Sequence, residues 1–99
     1  MIRLARISLA MPGKVFELQA ALKEIAAIVR EVADIDVVTF SSMGAQVGEF
    51  VNVSNFANFA EFEEKSGKLL SSPKYQAAIK KLDGLVVPGS PRDHFLRQI

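Results

Sequence analysis

The chain has 99 residues, enough for one domain and too few for two. Twelve basic residues against eleven acidic leave a net charge of +1, so no global field draws it to nucleic acid or to an anionic membrane. Without a single cysteine it has no disulfide, no thiolate nucleophile and no Cys-ligated metal, which fits a reducing cytoplasm.

The first strand runs from Ile2 to Ala10. Leu4, Arg6 and Ser8 share one face; Arg3, Ala5, Ile7 and Leu9 share the other. Apolar residues on both faces predict that both are covered. Met11-Pro12-Gly13 breaks the strand. A helix is expected over Gly13–Val32, because Val15, Leu18, Leu22, Ile25, Val29 and Val32 recur at alternating spacings of three and four. Ala33-Asp34 closes it.

Ile35–Ser42 is rich in β-branched residues and predicts the second strand. Met43-Gly44-Ala45 forms a short link, and Gln46–Ser54 the third strand of a hairpin. A second helical region opens at Asn58, an N-cap with Glu61 three residues on. Phe56 is placed to pack as a staple. Ser71-Ser72-Pro73 resets that region, with Ser72 as a new cap and Pro73 at the first helical position. Asp83-Gly84 ends it. Leu85–Pro91 reads as an ordered connection or edge segment, and Asp93–Ile99 as the last strand.

The order β-α-β-β-α-β predicts an α+β, ferredoxin-like domain over residues 1–99, with a four-stranded antiparallel sheet and both helical regions on one face. The bare face would be too apolar to leave open on a monomer, so it is expected to meet a second copy. No apolar run approaches the ~20 residues of a membrane span, and the first residues are too short and charge-interrupted for a signal peptide.

Few residues advertise chemistry. His94 is the lone histidine: a general base, a ligand contact, or a structural residue near the chain end. No second His or Cys accompanies it, so no metal site is expected. Arg6 and Arg97 interrupt buried-looking strands. Arg6 would pair with Glu49 across neighbouring strands, or meet a ligand carboxylate. Asn52 would orient a carbonyl or enolate, or satisfy a backbone group. Tyr75 would donate a hydrogen bond to a ligand, or pack. Phe40, Phe50, Phe56, Phe59 and Phe62 are expected mainly in the core, where they would also wall an apolar pocket. No RNP-like aromatic pattern, phosphate loop or nucleophile elbow is present, so nucleic acid is not an expected partner.

The segments MPGK, GEFVNVSNFANFAEFEE, SSPKYQ and PGSPRDHFLRQI together resemble the dimeric α+β barrel superfamily, within it the small NIPSNAP-like and antibiotic-biosynthesis-monooxygenase-like proteins. The resemblance implies a homodimer through the sheet face, with a pocket between helices and sheet in each subunit. It implies a small-molecule-binding protein without a cofactor, in its enzymatic form a cofactor-free monooxygenase. The alternative is a non-catalytic interaction module. On the first reading Asn52 and His94 would be catalytic, and Arg6 and Tyr75 would bind a small apolar or aromatic ligand. Haem degradation in the superfamily resembles a site built from Asn, Trp and His. This chain has no Trp, and its His lies on the last strand rather than the second helix.

Overall fold

Strand β1 (Ile2–Leu9) is the centre of the sheet, and its alternation decides what lies on each side. The structure is a computed structural model that describes residues 1–44 and 47–99. After β1 come α1 (Val15–Ala33), β2 (Val37–Ser41), β3 (Glu49–Phe56), α2 (Phe59–Leu70), α3 (Pro73–Lys80) and β4 (Arg92–Arg97). The sheet is antiparallel in the order β2-β3-β1-β4, the ferredoxin-like arrangement that the element order predicts. The last helical region is two helices, divided where Pro73 denies a backbone donor.

The helix boundaries follow local chemistry. Asp34 takes a left-handed conformation (φ 53°), and its N–H closes α1 on the Arg30 carbonyl. The Asn58 side chain accepts from the Glu61 N–H at 2.9 Å, while the Glu61 carboxylate accepts from the Ala57 N–H at 2.8 Å. That is a capping box displaced by one residue on its return leg. Ser72 caps α3 in the same way through the Tyr75 N–H.

Every strand departs from its expected bounds by one to three residues at one end or both, and two of the starts have a local cause. The second strand starts at Val37, because Ile35 is spent as a buried anchor at the end of the α1 turn. The third starts at Glu49, because Gly48 turns the chain at φ +85°. Gln46, the expected first residue of that strand, and Ala45 of the preceding link lie outside the described residues. Leu85–Pro91 is an edge segment. Val86 bridges Ala10, and the Val87 N–H donates to the Leu9 carbonyl at 2.8 Å, extending the β1 edge past the end of β4.

All three helices cover one face of the sheet. Leu4 and Phe56 meet Ile25, Val29 and Ala78 in one core cluster; Phe50 meets Leu18 and Leu22 in a second. The opposite face carries Ala5, Ile7, Val38, Phe40, Val51 and Val53, and among the described residues no helix packs on it. Phe40, expected in the core, lies there with 54% of its surface exposed. Phe59 is also largely exposed at the start of α2, while Phe50 and Phe56 are buried as expected.

Candidate functional site

The two core clusters are separate because a polar row runs across the sheet between them. Thr39 stands opposite Asn52, Asn52 opposite Arg6, and Arg6 opposite Asp93, one residue from each strand. On one side of this row lies Val37–Ser54–Leu4–Phe95, and on the next lies Phe50–Ser8. All these residues share the face that the helices cover. Side chains too short or too polar to fill the core there leave room above them.

That room is a cavity of about 310 Å³ between sheet and helices. Arg6, Asn52 and Ser54 form its polar floor; Ile25, Val29 and Phe62 contribute to apolar walls; Tyr75 enters from α3. It sits at the small end of ligand-pocket volumes. A chain of edge-to-face rings fixes α2 above the sheet. Phe56 meets Phe62 at 5.2 Å, and Phe62 meets Phe95 at 5.2 Å, each at an 82° interplanar angle. Each such pair adds about 0.5–1.5 kcal/mol beyond the area it buries.

Arg6 is held by Asp93 through two parallel hydrogen bonds. Its Nε donates to Oδ1 at 2.7 Å and its Nη2 to Oδ2 at 2.9 Å. These bonds hold the Asp93 carboxyl below the ordinary carboxylate range and raise the guanidinium above its ordinary value. The nearby Tyr75 hydroxyl raises the guanidinium further. Asn52 is different. Its Oδ1 is buried and has no hydrogen-bond partner. A buried acceptor left unpaired costs about 1–3 kcal/mol, so a donor reaching this atom would be favoured.

Three of the four singled-out residues therefore converge: Arg6, Asn52 and Tyr75 line one cavity. His94 is not with them. It stands opposite Ala5 in the β1–β4 ladder, on the face away from the helices, in a row with Val38 and Val53. Arg97 is on the cavity side of the sheet but beyond its end, opposite Ile2. The expected Arg6–Glu49 pair does not form. The register sets Glu49 against Leu9 on the other face, where it accepts a hydrogen bond from the Ser42 hydroxyl at 2.8 Å. Asp93 is the partner the sequence did not point to. Knowing β1 and β4 to be neighbours would reveal it only once their register was known. Among the described residues, no group of three or more His, Asp or Glu side chains is placed to hold a metal.

No protein-family model and no curated protein matches the chain. Solved structures do. An uncharacterized NIPSNAP domain protein from Burkholderia xenovorans aligns with a TM-score of 0.85 at 16% identity, over 100% of this chain and 95% of that one. A NIPSNAP family protein from Agrobacterium tumefaciens aligns at 0.83 and 20% identity, over 99% and 92%. An antibiotic biosynthesis monooxygenase aligns at 0.76 and 9% identity, over 100% and 99%. At such identities the likeness is one of fold, and it is the likeness that the sequence motifs implied. The chain has the ferredoxin-like α+β fold found in NIPSNAP domain proteins and in antibiotic biosynthesis monooxygenases.

Proposed function

We propose that this protein is a homodimeric small-molecule-binding protein whose ligand occupies the cavity over the polar row. The observation that carries the proposal is the convergence of Arg6, Asn52 and Tyr75 on one apolar-walled space, with the Asn52 acceptor unpartnered. A few polar groups set into a mostly apolar concavity are what orients a small ligand. Support for the dimer comes from the other face, where Val38, Phe40 and Leu96 are each more than half exposed. Apolar surface gathered on one side of a sheet favours a covering partner, and a second copy covers it symmetrically.

Binding is favoured over proton-abstracting catalysis. The cavity lining holds no histidine and no carboxylate among the described residues, and His94 faces away from it. A monooxygenase activity like that named for one neighbour, run here without a cofactor, is the second reading, favoured by the shared fold and by an amide able to orient a ligand oxygen. A thermal-shift screen across aromatic polyketides, quinones and fatty-acid-like acids tests binding, because a ligand of the folded state raises its apparent stability. Hits are expected, and they should disappear in Asn52→Leu. A screen without hits overturns the proposal. Oxygen uptake with a hit present would add turnover to it.

A further inference from the structure

We infer, taking the cavity as a binding site, that it selects an uncharged, mainly apolar molecule with a hydroxyl or similar hydrogen-bond donor, and disfavours carboxylates. The one cation in the lining is already neutralised. Asp93 takes the Nε–Nη2 edge of Arg6 at 2.7 and 2.9 Å, so the charge that would recognise a ligand carboxylate is already balanced by a carboxylate of the protein, and only the Nη1 side of the guanidinium is left. An anionic ligand would have to displace Asp93 or share this one cation with it, leaving a net negative charge in the cavity. The remaining polar lining consists of hydroxyls and one amide: Ser8, Asn52, Ser54, Ser66 and Tyr75.

Among these, the unmet need is specific. Asn52 Oδ1 lacks a donor, and an ionised carboxylate has none to give. A ligand hydroxyl has one, and its own oxygen remains free to accept from Tyr75, which lines the same cavity. An ether of the same shape is more apolar but cannot donate, so it isolates the contribution of the Asn52 bond. A cavity of about 310 Å³ holds roughly ten waters at ~30 Å³ each, which sets the ligand size near ten non-hydrogen atoms.

Octan-1-ol, octyl methyl ether and sodium octanoate match that size and differ in the group that matters. Their affinities are to be compared by calorimetric titration of the full chain at pH 7. Octanol is expected to bind at least about tenfold more tightly than either of the others. In Asn52→Leu the alcohol should lose its advantage over the ether. In Asp93→Asn, which frees Arg6, octanoate should gain at least about tenfold. Octanoate binding the unaltered protein best, or the ether matching the alcohol, overturns the inference while leaving the cavity a binding site. If none of the three binds the unaltered protein, this inference falls, while the binding proposal stands or falls with the wider thermal-shift screen.

Discussion

Asn52 occupies a position where a hydrophobic residue would serve folding better. Its orphaned acceptor predicts that Asn52→Leu leaves the ligand-free protein equally stable, or more stable by up to about 1 kcal/mol, as read from its urea midpoint. A loss of more than that would mean the amide is bonded in solution. Asp93 gives the opposite case. Its carboxyl is depressed in the folded chain, so its stabilising effect is complete above the ordinary value of about 3.9 and is lost as pH falls through the folded value. The side chains of Arg6 and Asp93 are 48% and 36% exposed, so solvent screening limits the effect to roughly 0.5 kcal/mol. The stability gap between the natural protein and Asp93→Asn should be flat above about pH 5 and close in acid; a gap that widens in acid contradicts the assignment. Arg6 and Asn52 were legible in the sequence as polar residues interrupting buried strands. Asp93 was not, because it is the second residue of a strand exposed along its whole length. Pairing depends on register, which residue types alone do not encode.

At the scale of elements the sequence was most informative where backbone chemistry is local. The caps at Asn58 and Ser72, the break at Pro73 and the apolar stripe of α1 each depend on neighbours within one or two turns. The strand starts were less legible because they depend on contacts far along the chain. Gly48 illustrates this. A Cβ there would come within 3.3 Å of Val15 Cγ2 and 3.4 Å of the Ala10 Cβ, and the backbone is already at φ +85°. Gly48→Ala should therefore destabilise the fold by about 1–2 kcal/mol, seen as a lower thermal midpoint. An unchanged midpoint would show that the β2–β3 connection relaxes freely. The same turn places Phe50 on the helix-facing side and Glu49 on the other, so it also decides that Asn52 faces the cavity.

At the scale of the whole molecule, the alternation of β1 and β3 divides two tasks between two faces. Asn52 and Arg6 look toward the helices; Val53, Ile7 and His94 look toward the proposed partner. Val53→Lys, in the middle of the apolar face, should convert a micromolar dimer to a monomer by light scattering while leaving the cavity intact. An unaltered protein that is already monomeric at that concentration removes the dimer from the proposal. Apolar residues on both strand faces led to the expectation of a second copy, but they did not show which face held the cavity, since either parity fits the same alternation. One consequence of the sheet order concerns synthesis rather than the finished molecule. The central strand is made before the other three strands of its sheet, yet the aspartate that grips its arginine lies 87 residues further on. Until Arg92–Arg97 has left the ribosome, one edge of β1 has only the short Val86 bridge to pair with. The nascent chain thus carries an open strand edge from the emergence of β1 until β4 follows it, a window in which a holding chaperone would find its substrate.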